Sequence, residues 1–343
     1  MDAHPAPAPA AADPALDAAY AAAAAAVVAA RSVVVTTHLN PDGDGIGAGL
    51  ALVHALLAMG KDVRFLCPST VAGIYRFLPR FEIIRPLTDA ALAKAEPAAD
   101  LVISCDAGDV QRLGACAAVP RGRLINLDHH VTNTRFGDIN LVDVSGESSG
   151  VVVERLLRRL GVKLDRTLGE CLYATIVFDT GRFMHSNTTA HTFRWTADLL
   201  DTGIDAAAIN RRLTYTRTPK DLAILRLGLE HLELDADPRL GGIVLTAAAI
   251  AAVGEPEDWG DLVEIPRSLQ GNQIAYLIRE GKDGKTVRAS LRSNPPFAVG
   301  GVAQHFGGGG HAQAAGCTLT MSLGQAVAEI RARLRVALDI PQP

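Results

Sequence analysis

The chain has 343 residues, 48% of them hydrophobic and 20% charged, with a formal net charge of −4. This is enough for two ordinary domains with ample apolar core, and it excludes a disordered polyelectrolyte. The acidic balance argues against a basic stripe that tracks long nucleic acid, but leaves short anionic substrates open, because a small pocket needs only a few local cations.

Residues 1–12 read as a flexible Pro/Ala tail. Asp13-Pro14 supplies an N-cap followed by proline at the first helical position, so a helix is expected up to about Ala30. Its apolar run is too short to span a bilayer, and no basic segment precedes it as in a signal peptide. Strands are expected at "SVVVTT" (32–37), "DVRFLC" (62–67), "LVISCD" (101–106) and "RLINLD" (123–128). Between the first two, "GIGAGLALVHALLAMG" is apolar at helical spacing and closes on Gly60. Further helices open at "SSGVVVERLLRRLG" and run through "GECLYATIVFDTGRF" into a loop. Apolar strands separated by helices predict an α/β domain with a mostly parallel sheet flanked by helices, its chemistry at the carboxyl ends of the strands. Residues 13–195 form this domain, and 196–235 read as a helical connector. From 236 to 343 the pattern is that of a smaller α+β domain, with strand-like pieces around the hairpin signal "GKDGK", a glycine cluster and a final helix. Five cysteines (67, 105, 116, 171, 317) without CxxC spacing predict a reducing, cytoplasmic setting, no disulfide framework and no thiolate zinc site.

The turn "HLNPDGDGIGAG" satisfies G-x-G-x-x-A at Gly43, Gly45 and Ala48, but a dinucleotide site is disfavoured there. "HLNPD" intervenes between strand and glycines, two carboxylates would oppose a pyrophosphate, and the second strand ends in Cys67 where an acidic residue should hold a ribose. The strand ends point elsewhere. The first delivers His38, with Asp42 and Asp44 in its turn. Another ends in Asp106, another in Asp128, His129 and His130, and the loop "FDTGRF" adds Asp179. A lone DxD is usually turn chemistry, a lone strand-terminal Asp often a helix cap, and adjacent histidines often surface residues. Together, on one rim of a parallel sheet, so many carboxylates could not all stay ionised without cations. Oxygen-rich ligation with imidazoles and no thiolate suits manganese first, with magnesium or cobalt as alternatives.

These motifs, "DHH" at 128–130 with "HLNPDGDGIGAG", "CDAGD" and "FDTGRF", resemble the DHH phosphoesterase superfamily. "SLRSN" and "GGGGHAQAAG" resemble its DHHA1 domain. The resemblance spans roughly residues 30 to 320 and is greatest to the two-domain nanoRNase/pAp-phosphatase type. It implies an active-site cleft between the domains, with short oligoribonucleotides, 3′-phosphoadenosine 5′-phosphate, and linear or cyclic dinucleotides as substrates. It also implies two divalent metal ions: one held by His38, Asp42 and Asp106, the other by Asp44, Asp106, His130 and Asp179. His129 would face the scissile phosphate and Asp128 would orient a histidine. A glycine between the two turn aspartates is a variation on the family pattern. The resemblance leaves a homodimer open.

Two such ions about 3.5–4 Å apart would share a water and yield hydroxide near neutral pH for in-line attack. In the second domain Gly308, Gly309 and Gly310 with His311 could bring backbone N–H groups to an anion. Arg292, on one strand face with Arg288 and Ser290, could fork onto a phosphate. Arg182 is a further phosphate candidate. The rivals are a RecJ-like single-strand exonuclease, which shares the catalytic parts, and a nucleotide-binding regulator with an inert centre.

Overall fold

The computed structural model describes residues 13–215, 217–256, 259–310 and 312–339; the tail expected over 1–12 lies outside them. The chain divides into two units, Met1–Thr216 and Arg217–Pro343.

In the first unit the Asp13 carboxylate accepts from the Ala15 N–H at 2.9 Å and opens α1 (Pro14–Ala29). β1 (Ser32–Thr36), α2 (Gly43–Ala58) and β2 (Asp62–Cys67) follow within a residue or two of their expected places. The sheet continues with β3 (Ile84–Pro86), β4 (Ala99–Cys105), β5 (Arg121–Asp128) and β6 (Ile139–Val142), with α3 (Ala90–Lys94) between β3 and β4. Then come α4 (Ser149–Arg159), α5 (Arg166–Asp179), α6 (Ala190–Leu200) and α7 (Ala206–Thr214). Strand order is β3-β2-β1-β4-β5-β6, and every pairing is parallel. Alternation along β1 explains the two covered faces. Val33 and Val35 join the core beneath α2, α4 and α5, while Val34 packs on the opposite side with Leu66, Val102 and Cys116. The order reverses between β1 and β4, so a crevice opens at their carboxyl ends. α1 is tied down through Tyr20, whose hydroxyl donates to Asp143 at 2.8 Å just beyond β6.

The expected connector 196–235 is shared out. α6 and α7 pack on α5 in the first unit, and α8 (Pro219–Glu230) begins the second. That unit holds β7 (Leu232–Leu234), β8 (Leu240–Leu245), α9 (Ala247–Val253), α10 (Gly260–Arg267), β9 (Ile274–Glu280), β10 (Thr286–Ser293), α11 (Gly300–His305), β11 (Gly309–Gly310), β12 (Ala314–Thr320) and α12 (Leu323–Ala337). The sheet order is β11-β12-β10-β9-β8-β7. It is mixed, because β8 and β9 run parallel while the other pairings are antiparallel. β10 turns Val287, Ala289 and Leu291 onto the core beneath α12. Arg288, Ser290 and Arg292 take the other face, as their spacing predicts. All five cysteines are free and buried. Among the described residues no helix is long and apolar enough to cross a membrane.

Candidate metal centre

The polar residues that terminate the strands of the first sheet converge at the β1–β4 crevice. After β1 the chain passes His38 and reaches Asp42, which caps α2 by accepting from the N–H groups of Asp44 at 2.9 Å and Gly45 at 3.3 Å. Its free oxygen lies 3.7 Å from His38 Nε2. Asp106 follows β4 in a left-handed conformation, φ 58°, and so turns both oxygens into the crevice. Oδ2 lies 3.5 Å from His38 Nε2. Oδ1 lies 3.9 Å from His129 Nε2 and 3.6 Å from His130 Nδ1, and accepts from Ser149 Oγ at 3.1 Å.

Asp44 is fully buried, and the start of α4 holds its carboxylate. The N–H groups of Ser149 and Gly150 donate to it at 2.7 and 3.1 Å. Gly150 leaves no spare room, since a Cβ there would fall on Thr175 Oγ1 inside van der Waals contact. Gly150→Ala is therefore expected to destabilise the chain by about 1–3 kcal/mol, read as a lower denaturant midpoint. An unchanged midpoint would show that α4 can shift without cost.

Asp128, at the end of β5, accepts from His130 Nδ1 at 2.8 Å, from the His129 N–H at 2.9 Å and from Asn133 Nδ2 at 2.6 Å. Its carboxylate is thereby tied to the two histidines, while one of its oxygens stays within 4.8 Å of Asp106. The two neighbouring imidazoles part company. His129 Nε2 lies 3.3 Å from Asp179 and 3.7 Å from Asp44; it is buried and has no hydrogen-bond partner. The family resemblance implied His130 beside Asp44 and Asp179; His129 Nε2 also stands at 3.7 and 3.3 Å from them, and Asp179 acts on His130 as well.

Charges at the site are far from their ordinary balance. Burial and the neighbouring carboxylates hold Asp44 well above the usual carboxylate range. Burial, then Asp106 and Asp42, push Asp179 up to about 8. Burial opposes the His38 imidazolium, but Asp106 and Asp42 outweigh it and raise that group to about 10. The hydrogen bond to Asp128 raises His130 to about 9, while burial lowers His129. His129 is thus neutral at pH 7, with Nδ1 3.3 Å from the Gly146 carbonyl. With that nitrogen donating, a lone pair remains on Nε2. His38 Nδ1 stands 2.9 Å from both the Leu39 carbonyl and Arg112 Nη2. One nitrogen cannot donate to the first and accept from the second, and the neutral tautomer that serves Leu39 also leaves Nε2 free.

The donor set fits divalent cations. Three groups each keep one ligand atom per residue within 4.8 Å of the others: His38, Asp42 and Asp106; Asp44, His129 and Asp179; and Asp106, Asp128, His129 and His130. The orphaned His129 nitrogen and the crowded carboxylates both call for positive charge, and no cysteine takes part. Asn133, Ser149 and Arg112 support these groups but carried no warning in the sequence, because such residues are common in any loop or helix start.

The other predicted residues are scattered. Arg182 is exposed, φ 59°, just beyond Asp179. In the second unit Arg292 lies on β10 between Ala275 and Ala314, its Nε 3.5 Å from Glu264. The Gly308 N–H already donates to the Ala303 carbonyl at 2.9 Å, so an anion cradle there rests on Gly309 and Gly310, which pair with Gly316 and Ala315. His311 lies outside the described residues.

Residues 32–176 match the DHH family, N-terminal domain, and residues 244–337 match the DHHA1 domain. The chain is 32% identical over 308 residues to the bifunctional oligoribonuclease and PAP phosphatase NrnA of Thermus thermophilus, covering 89% of this chain and 90% of that protein. Identity to the protein of the same name from Bacillus subtilis is 24%, over 84% of this chain and 89% of the relative. Among solved structures, an exopolyphosphatase-related protein from Bacteroides fragilis superposes with a TM-score of 0.86 at 26% identity, covering 93% of this chain and 96% of its own. RecJ of Thermus thermophilus, at 17% identity and a TM-score of 0.51, shares the fold. With both family domains in order and its acid and imidazole groups gathered at the sheet's crevice, the chain belongs to the DHH family of metal-dependent phosphoester hydrolases.

Proposed function

We propose that this chain hydrolyses the phosphate esters of very short oligoribonucleotides and of 3′-phosphoadenosine 5′-phosphate, with manganese as its metal. The observation that carries the reading is the Asp106 carboxylate, whose two oxygens face two different ligand groups. One position is held by His38, Asp42 and Asp106, the other by Asp44, Asp106, Asp179 and His129. Bound there, a pair of divalent cations supplies activation of a water and Lewis-acid polarisation of a phosphate. The chain does the rest. α4 keeps Asp44 in place through two N–H groups, and neutral His129 offers its lone pair. His130, held by Asp128, presents positive charge to a nonbridging phosphate oxygen. The substrate class is supported by the names of the relatives and by the acidic net charge. Arg292, Gly309, Gly310 and His311 are the proposed contacts to the nucleotide end, and Arg182 a further one to phosphate.

The test is a chelator-stripped preparation reloaded with manganese, magnesium or cobalt, then offered pAp, the dinucleotide pApA and a long RNA. Turnover of the first two, greatest with manganese, is expected. Equal rates on the long RNA would contradict the short-substrate reading. The division of labour between the histidines has its own readout. His129→Ala should lower the bound manganese from two ions per chain toward one, whereas His130→Asn should keep both ions and lose kcat. The reverse pattern would return the ligand role to His130.

A further inference from the structure

Two peculiarities of the sequence meet in the structure. One is Gly43, between the two turn aspartates; the other is Phe178, immediately before Asp179. Phe178 is 43% exposed although Ala174, Thr175 and Val177 before it on α5 are buried. It is absent from the apolar side chains packed on the first unit's core, whereas Phe183 is among them. Phe178 lies instead against the Asp42–Asp44 turn. A Cβ at Gly43 would stand 3.0 Å from Phe178 Cβ and 3.1 Å from Cγ and Cδ2, well inside ordinary carbon contact. The Gly43 backbone is not left-handed, and alanine would suit the first helical position better by propensity. Glycine is therefore there for clearance: it lets the aromatic side chain rest on the turn.

This leaves an apolar ring open to solvent with an aspartate of the metal centre on either side, Asp44 through its contact with the turn and Asp179 through the chain. A phosphate drawn there by cations on those carboxylates would carry a nucleoside, and flat aromatic side chains bind nucleobases by stacking without regard to sequence. We propose that Phe178 is a stacking platform for the nucleobase next to the scissile phosphate. This rests on the phosphoesterase reading above and adds to it a site for the base. It predicts a preference for substrates that carry a base there over the sugar-phosphate alone, and tolerance of which base it is.

The experiment compares the manganese-loaded full chain with its Phe178→Leu and Phe178→Trp variants. Substrates are pApA and two analogues with an abasic sugar at one or the other position. For one of the analogues, the wild type should favour pApA by about tenfold in kcat/KM, mostly through KM. Phe178→Leu should bring that ratio toward one, and Phe178→Trp should keep or raise it. A ratio unchanged in Phe178→Leu, or no base preference in the wild type, would overturn the stacking role while leaving the phosphoesterase reading intact. Fluorescence quenching on titration with pAp, stronger in Phe178→Trp than in the wild type with its native Trp195 and Trp259, reports stacking without turnover. Quenching without turnover of any phosphate ester would uphold the platform and refute the enzyme.

Discussion

Replacing Asp106 by asparagine is expected to cut kcat on any phosphate ester by about a thousandfold or more. The charge stabilisation at such a centre amounts to several kcal/mol, and each ~1.4 kcal/mol is tenfold in rate. One carboxylate contributes to both ligand groups, so the loss should extend to both ions and not to one. Stability should move the other way. Without metal, burial and then repulsion from Asp106 raise Asp44 and Asp179. A neutral amide of the same shape relieves that repulsion, so the metal-free variant should melt no lower than the metal-free wild type and should lose the rise in Tm that manganese confers. A variant that still gains Tm with manganese, or retains most of its turnover, would remove Asp106 from its bridging position.

The second large effect is in the pH dependence of the metal-free fold. Asp179 is raised from 3.8 to about 8, so the stability tied to its proton is present at low pH and lost as pH rises toward 8. His38, raised from 6.5 to about 10, and His130, raised to about 9, lose their contribution in the same direction above 6.5. Asp42 and Asp128 are lowered and titrate only in acid. Between about pH 6 and pH 9 the terms from Asp179, His38 and His130 share one sign and outweigh the opposite term of His129, which burial lowers and which acts only near pH 6.5. The Tm of the chelated chain should therefore fall by roughly 5 °C or more. Metal binding requires those protons to leave, so manganese affinity should rise over the same interval, and loading near pH 7 should release protons. Calorimetry in buffers of different ionisation enthalpy measures the release. A gap between loaded and chelated Tm that stays level or narrows with pH would contradict the picture.

Much of this was legible because the sheet is parallel and covered on both faces. Such strands are mostly apolar, so the charged and imidazole groups His38, Asp106 and Asp128 stand out where each run stops. β3 and β6 escape notice because three or four residues carry no period. β12, "AAGCTLT", is not among the expected strands, because its first residues are small and pair closely with β10 without the bulk that marks a strand. The choice between His129 and His130 was not available to spacing. Both lie past the end of β5, where alternation between faces no longer applies, and local hydrogen bonds to Asp128 and the approach of α5 decide which nitrogen meets Asp179. Glu147 is equally silent in sequence. It is buried, accepts from Thr189, Thr192 and His191, and its carbonyl shares Asn187 with that of Asp179.

The amino-acid sequence by itself therefore determined the layered α/β first domain, the strand-end acids and imidazoles, the metal chemistry they imply and the family. The domain and its strand-end groups depend on residue type and on position within single elements, which periodicity reports, whereas the family follows from the resemblance of the motifs. The tertiary structure alone decided that Asp44 is held by the start of α4, that Asp106 divides its oxygens between two groups, that His129 Nε2 stands 3.3 Å from Asp179, and that Gly43 clears a place for Phe178. Each of these is a contact between segments distant along the chain, set by how the strands order and the helices pack, and no local pattern of residues carries that information.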